Sequence, residues 1–249
     1  MTIPFTCPYH TVIMANGAFP RHPVPLSFLR EATRIICCDG ATEALLEFGL
    51  EPDYIVGDLD SLSQELQHRY SHCLHHDPNQ NNNDLSKAVN FCTERQWNEI
   101  TILGATGKRE DHSIGNIALL THYAQSAKVQ LITDYGVFIP LLKSGCFESY
   151  TGQQVSIFSL TPAAVYTFHG LKYPLAKERI LFWWQATLNE AIGKEFSINM
   201  DDGIALVFRE HICCRQADTF LSTKTCRRAD LNTCDNEARP AKPLEQGKT

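Results

Sequence analysis

Two aspartates one residue apart stand in the run Gly57-Asp58-Leu59-Asp60-Ser61, directly after the apolar Tyr54-Ile55-Val56. Side chains alternate along an extended chain, so Asp58 and Asp60 are expected on one side of a strand end. Carboxylates placed in this way repel each other unless something neutralises them. A hard divalent cation does so, because Mg²⁺ takes carboxylate oxygens and completes its shell with water and substrate phosphates. The plainer alternative is structural: Asp58 caps a turn, and Ser61 caps a helix beginning near Leu62. A lone Asp-x-Asp favours that alternative, so the case for chemistry rests on the other pieces of the chain.

Asp39 ends the apolar run Ile35-Ile36-Cys37-Cys38. Asp84 and Lys87 are three apart at the start of a helical pattern over residues 84–96, a spacing that lets both project toward one cleft or pair with each other. Asn83 before them is a good N-cap. The run Gly104-Ala105-Thr106-Gly107-Lys108-Arg109-Glu110-Asp111-His112 follows the strand-like Ile100-Thr101-Ile102-Leu103. A glycine-bearing turn between strand and helix turns backbone N–H groups toward an anion. It is neither a Walker A loop nor a dinucleotide fingerprint. Asn16-Gly17 closes an earlier strand-like run and reads as a turn or as a close approach to a ligand.

These residues need a frame. Strand-like runs at residues 11–15, 34–38, 54–56, 100–103 and 128–133 alternate with helical patterns at 26–32, 41–48, 62–70, 84–96 and 111–125, which argues for a parallel sheet with crossovers. Residues 72–83 read as a polar, turn-rich loop. After about residue 142 short alternating runs at 155–160, 165–168, 196–199 and 204–208 replace the helices, as in a β-sandwich or barrel. The expected layout is an α/β domain over residues 1–143, a smaller all-β domain over 144–210, and a mobile tail over 211–249, where the apolar pattern lapses.

A chain of 249 residues with a hydrophobic fraction of 43% can bury a full core. Acidic residues outnumber basic ones 28 to 22, for a net charge of −6, which argues against a nucleic-acid binder. No apolar run reaches the roughly 18 residues of a membrane span. Residues 1–9 lack the pattern of a signal peptide. The ten cysteines show no CxxC spacing and are read as reduced thiols of a cytoplasmic protein.

Taken in order, Cys38-Asp39-Gly40-Ala41, the Pro52-to-Ser61 run, Asn83-Asp84-Leu85-Ser86-Lys87-Ala88 and the 104–112 loop with Asn116 together resemble the thiamine pyrophosphokinase family. The resemblance spans about residues 12 to 208. It implies a three-layer, parallel-sheet α/β domain followed by a smaller β-sandwich, in a homodimer with active sites between subunits. The implied reaction moves the diphosphoryl unit of ATP to the hydroxyl of thiamine with Mg²⁺, giving thiamine diphosphate and AMP. Asp39, Asp58, Asp60 and Asp84 are then the metal set. Asn16, Asp39, Gln80, Lys87, Lys108, Arg109, His112 and Asn116 face ATP. Asp58, Asp60, Asp84, Arg109 and Asp111 carry the catalysis. Trp184, Thr187 and Asn189 meet thiamine, with one of Trp183 and Trp184 in the core and the other at the site.

The chain departs from the family pattern in two places. An acidic Asp-Gln-Asp-x-Thr-Asp stretch appears here as Asn79-Gln80-Asn81-Asn82-Asn83-Asp84, and Lys108 replaces a common glycine. Rival readings are a pyrophosphokinase for another small alcohol such as a hydroxymethylpterin, a metal-dependent glycosyltransferase, and a non-catalytic thiamine- or nucleotide-binding module.

Overall fold

The computed structural model of the chain describes residues 2–211. The first part runs β1 (Thr2–Ile3), β2 (Thr11–Met14), α1 (Pro23–Glu31), β3 (Arg34–Cys38), α2 (Thr42–Glu47), β4 (Tyr54–Gly57), α3 (Gln64–Arg69), β5 (Leu74–His76), α4 (Asp84–Glu94), β6 (Glu99–Leu103), α5 (Glu110–Tyr123) and β7 (Lys128–Ile132). The second part is β8 (Gly136–Leu141), β9 (Gly145–Glu148), β10 (Gln154–Ser159), β11 (Val165–His169), β12 (Ala176–Arg179), β13 (Ala186–Glu190), β14 (Glu195–Met200) and β15 (Ala205–Glu210). The expected order, an α/β domain and then a β-rich one, is present.

One sheet of ten strands runs through both parts in the order β13-β10-β15-β8-β7-β6-β2-β3-β4-β5. From β7 to β5 every pairing is parallel. From β7 to β13 every pairing is antiparallel. The change of direction lies between β7 and β8, while the boundary at residues 143/144 suggested by sequence pattern falls between β8 and β9. A second sheet, β1-β9-β14-β11-β12, is antiparallel except for the parallel pair β1–β9.

Period-two alternation sets the layers. Val12, Met14, Ile35, Cys37 and Ile55 point to one face and pack with Leu29 of α1 and Leu45 of α2. Ile13, Ile36, Cys38 and Val56 point to the other and pack with Leu85, Val89 and Cys92 of α4 and with Leu120 of α5. In the second half the first of these faces is covered by the smaller sheet, through Phe147, Tyr166, Phe168, Phe196 and Ile198. Strands buried on both sides read as continuous apolar runs, which is why they were visible in the sequence.

Several elements differ from expectation. The polar stretch 72–83 contains β5, a three-residue edge strand too short and too hydrophilic to announce itself. The helix expected at 62–70 starts at Gln64, capped by Ser63 rather than Ser61. The first residues belong with the second half: β1 pairs with β9, and the buried Arg209 donates to the carbonyls of Pro4, Phe5 and Glu148. His211 is buried, stacks on His22 at 4.9 Å, and its Nε2 lies 2.8 Å from the Thr133 carbonyl oxygen. The remainder of the tail, residues 212–249 with Cys213, Cys214, Cys226 and Cys234, lies outside the described residues.

Candidate active site

Strand order decides where a ligand can sit. The chain leaves β2 for β3 on one side, and β6 lies on the other, so the crossovers diverge at the carboxyl end of β2. Ligands of open α/β sheets bind in the crevice this creates. The loops after β2, β3, β4 and β6 carry Asn16, Asp39, the Asp58–Asp60 pair and the 104–109 turn, so these residues reach the same end of the sheet. A cleft of about 610 Å³ opens there, lined among others by Asn16, Asp58, Asp84, Lys87, Lys108 and Arg109.

Two loops form one wall. The Ala15 N–H donates to the Leu103 carbonyl, Gly17 to Gly104, and Ala18 to Thr106, which ties the turn after β2 to the turn after β6. The approach is too close for a side chain: a Cβ on Gly17 would lie 2.3 Å from the Gly104 oxygen. The Lys108 ammonium donates to Asn16 Oδ1 at 2.9 Å across the mouth of this wall.

The acidic pair is built differently from a strand end. Strand β4 stops at Gly57, and Leu59 has φ +67°, in the left-handed region. Asp58 and Asp60 therefore converge through a turn and not by alternation. An L-residue with this backbone costs of the order of 1–3 kcal/mol, and such strain concentrates at functional sites. Asp39 completes a triad: carboxylate oxygens of Asp39, Asp58 and Asp60 lie within 4.8 Å of one another. Asp39 is 2% exposed. Its Oδ1 accepts from the Gly40 N–H at 2.6 Å, and its Oδ2 is buried without a hydrogen-bond partner. Burial raises its pKa, and the charges of Asp84 and Asp58 add to the rise. A Cβ on Gly57 would stand 2.9 Å from the Asp39 carboxyl carbon, so glycine is needed for the carboxylate to lie over β4.

Lys87 sits on the other side of Asp58. Its side chain is 2% exposed, and its ammonium is 2.9 Å from Asp84 Oδ1 and 3.5 Å from Asp58 Oδ2. Burial pulls its pKa down, but the hydrogen bond and charge of Asp84 outweigh this, and the pKa ends above its usual value. Helix α4 presents the pair in its first turn, where Asn83 Oδ1 accepts from the Ser86 N–H at 2.9 Å. Gln80 Nε2 donates to Asp58 Oδ2 at 3.1 Å, and this bond leads the causes that hold the Asp58 carboxyl below its usual pKa.

Of the residues expected at ATP, Asn16, Gln80, Lys87, Lys108, Arg109, His112 and Asn116 line the cleft. Asp39 and Asp60 stand beside Asp58 rather than in the wall. Asn116 has a structural task as well: it accepts from Asn83 Nδ2 at 3.1 Å and donates to the Ala105 carbonyl at 2.8 Å, fastening α5 to α4 and to the end of β6. Asp111 does not line the cleft. It grips Arg109 through two hydrogen bonds of 3.1 and 2.6 Å, and this pairing holds its carboxyl down at about 2. Sequence reasoning passed over Ser61 and Asn82, which also line the cleft, and the supporting Gly57.

Trp184, Thr187 and Asn189 are elsewhere. Strand β13 lies five strand positions from β6, about 24 Å at ~4.8 Å per strand. Trp183 and Trp184 occupy the turn before β13, so the alternation that would place one in the core does not apply, and both are exposed. Trp183 leans on Phe158 and Trp184 stacks on Phe182. Asn189 is buried, accepting from the Tyr173 N–H at 3.0 Å and donating to the Tyr173 carbonyl at 2.9 Å.

Comparison with known proteins matches both halves of this arrangement. Residues 26–132 fit the family described as "Thiamin pyrophosphokinase, catalytic domain", and residues 136–208 fit "Thiamin pyrophosphokinase, substrate-binding domain". The chain belongs to the thiamine pyrophosphokinase family. Among its relatives is the thiamine pyrophosphokinase of Bacillus subtilis, 29% identical over 209 residues, covering 79% of this chain and 96% of the relative. Thiamine pyrophosphokinase 1 of Oryza sativa subsp. japonica is 28% identical over 197 residues, covering 67% and 74%. The crystal structure of the B. subtilis enzyme superposes with a TM-score of 0.69 at 25% identity over 82% of this chain and 100% of that one. The structure from Geobacillus thermodenitrificans gives 0.67 at 26% identity over 82% and 98%. These matches favour neither the pterin, the glycosyltransferase nor the non-catalytic reading.

Proposed function

We propose that this thiamine pyrophosphokinase family member transfers the diphosphoryl group of ATP to the hydroxyl of thiamine, giving thiamine diphosphate and AMP. The observation that carries the reading is the carboxylate triad with Lys87 beside it, set at the switch point of the sheet against a glycine-bearing phosphate loop. A bond forms between the thiamine hydroxyl oxygen and the β-phosphorus. The bond from that phosphorus to the oxygen bridging it to the α-phosphorus breaks, AMP leaves with this oxygen, and the hydroxyl proton is released.

Asp39, Asp58 and Asp60 fit a hard divalent cation, here assigned as Mg²⁺. Three carboxylates crowded together with an unpartnered buried oxygen are costly without one. When bound, Mg²⁺ neutralises triphosphate charge. Everything else falls to the side chains. Lys87 donates to phosphate oxygens from a fixed position, held by Asp84. Arg109 offers a planar fork for bidentate phosphate contact, with Asp111 holding it at the rim. Lys108 is free to exchange Asn16 for a phosphate oxygen.

A homodimer completes the site in this reading. Leu181, Phe182, Trp183, Trp184 and Leu188 form an exposed apolar strip, with Leu188 80% exposed, and it runs on to Phe158 and Phe138. Contiguous apolar surface of this kind is covered in stable proteins. A second copy would cover it and bring its β13 region, with Trp184 and Thr187, toward the cleft that these residues cannot reach within one protomer. This reading also puts the protein in the cytoplasm. Support comes from the free thiols of Cys7, Cys37, Cys38, Cys73, Cys92 and Cys146. No helix among the described residues is long and apolar enough to cross a membrane.

The test is chromatography of purified protein with ATP, thiamine and MgCl₂, reading thiamine diphosphate by thiochrome fluorescence and AMP by absorbance. Equimolar products that need thiamine and vanish with EDTA or in Asp60→Asn support the reading. AMP formed with a hydroxymethylpterin but not with thiamine overturns it.

A further inference from the structure

The wall that carries Asn16 is fastened at both ends. Its near end is tied to the turn after β6 by the N–H groups of Ala15, Gly17 and Ala18. Its far end, just before α1, is tied to the second half of the chain. The N–H groups of Arg21 and His22 both donate to Asp134 Oδ1, at 2.8 and 2.9 Å. Asp134 stands in the β7–β8 turn, where the sheet changes from parallel to antiparallel. Bonds from N–H groups to a carboxylate are charge-assisted and stronger than neutral ones.

The end of β15 locks this anchor. The His211 N–H donates to the Tyr135 carbonyl at 3.2 Å, and its Nε2 lies 2.8 Å from the Thr133 carbonyl oxygen, so the residues on both sides of Asp134 are held. The His211 ring lies on that of His22, with centroids 4.9 Å apart and planes 12° from parallel. His22 in turn caps α1, its Nδ1 accepting from the Val24 N–H at 3.2 Å. The cap requires a neutral His22, because a proton on Nδ1 would face the Val24 N–H. Two imidazolium rings in one stack would repel. The charged and titratable groups around His211 are Arg21 and His22 from the loop, Asp134 from the β7–β8 turn, and Tyr150 from the β9–β10 connection, whose hydroxyl donates to the His211 carbonyl.

We propose that Asp134, locked by the His22–His211 stack, is a positioning residue for the phosphate-facing wall: it holds residues 15–22 in place from the β-rich half, and protonation of the imidazole pair in mild acid releases them. Asn16, and through it the Lys108 ammonium, would then lose their fixed place at the cleft. Burial lowers the pKa of His211; the Thr133 carbonyl and Asp134 oppose this, and His22 adds to it. Folding therefore favours the neutral ring. The anchor is intact above the ordinary imidazole pKa of about 6.5 and weakens as pH falls through the lowered folded value.

The inference takes its probe from the diphosphoryl-transfer reading, but its test reads loop exchange and binding rather than turnover, so the two fail separately. Amide hydrogen exchange of residues 15–22, corrected for intrinsic rate, is followed by mass spectrometry, and affinity for a fluorescent ATP analogue by titration, at about pH 7.5 and about pH 5.5, on either side of the imidazole range. At the higher pH, Asp134→Ala is expected to speed exchange in 15–22 and to weaken nucleotide binding, each about tenfold, the worth of one or two hydrogen bonds. Asp134→Asn, whose amide oxygen can take the place of Oδ1, restores most of both. In acid the wild type loosens and loses affinity, whereas His22→Asn, which keeps a capping oxygen and does not titrate, loses less. Protonation of the nucleotide is common to both proteins and cancels in that comparison. Unchanged exchange of 15–22 in Asp134→Ala, a loosened loop with unchanged nucleotide affinity, or the same acid loss in His22→Asn as in the wild type would each overturn the proposal. A wild type that binds no nucleotide would defeat the diphosphoryl-transfer reading instead, and the exchange of 15–22 still decides the anchor.

Discussion

Asp39→Asn should make the metal-free protein more stable while removing its response to magnesium. Asp39 Oδ1 accepts from the Gly40 N–H, which an asparagine oxygen can also do. Its Oδ2 has no partner, and one of its carboxylate oxygens lies within 4.8 Å of oxygens of Asp58 and Asp60, which an amide N–H₂ in its place could meet as a donor. Two like charges at 4.8 Å repel by about 3.5 kcal/mol at an effective dielectric of about 20. Asp58 and Asp60 are partly open to water, so about 1–2 kcal/mol is a fair share for the net gain. For a domain pair of this size that is a rise in Tm of roughly 2–8 °C. The sign with pH follows from the raised pKa of Asp39. Its folded state favours the protonated form, so the stability linked to it is fully present below the ordinary carboxylate pKa of about 3.9 and is lost as pH rises through the folded value. The advantage of Asp39→Asn should therefore grow with pH above about 4. Magnesium at about 100 times its Kd should stabilise the wild type by about 2.7 kcal/mol and the variant by much less. The assay is thermal unfolding in EDTA and in magnesium. A lower Tm for Asp39→Asn in EDTA would mean that the carboxylate holds the turn rather than awaits a cation, and the reasoning fails.

Gly57→Ala places a methyl 2.9 Å from the Asp39 carboxyl carbon, so the magnesium-induced rise in Tm should shrink while circular dichroism stays native. Asp111→Asn frees Arg109 from an exposed pair, so turnover should fall with no change in Tm. Leu188→Asp puts a charge in the exposed apolar strip, and sedimentation should show monomers and activity should drop with them.

The parallel strands were legible because they are buried on both faces, as at Ile35 to Cys38, and the loops after them carried the acids to one end. Asp58 and Asp60 do converge as expected, but through a turn and not by strand alternation: only coordinates show Leu59 in the left-handed region. Asp39 joined the pair from a different strand, a contact that no local pattern encodes. The pairing of Asp84 with Lys87 was open in the sequence as either a local ion pair or two ligands, since i,i+3 spacing serves both. Trp183 and Trp184 misled because the period-two rule was applied to a turn. The short edge strand β5 and the docking of residues 2–5 by Arg209 depend on pairings across the whole chain and have no periodic signature.

The central claim, transfer of an intact diphosphoryl unit, is tested most directly by following the β-phosphorus. ATP labelled only at that atom is incubated with the protein, thiamine and magnesium, and the products are separated. The account predicts that the label moves wholly into thiamine diphosphate, matched mole for mole by unlabelled AMP. Label retained in ADP, with thiamine monophosphate as the other product, would mean a single phosphoryl transfer and contradict it.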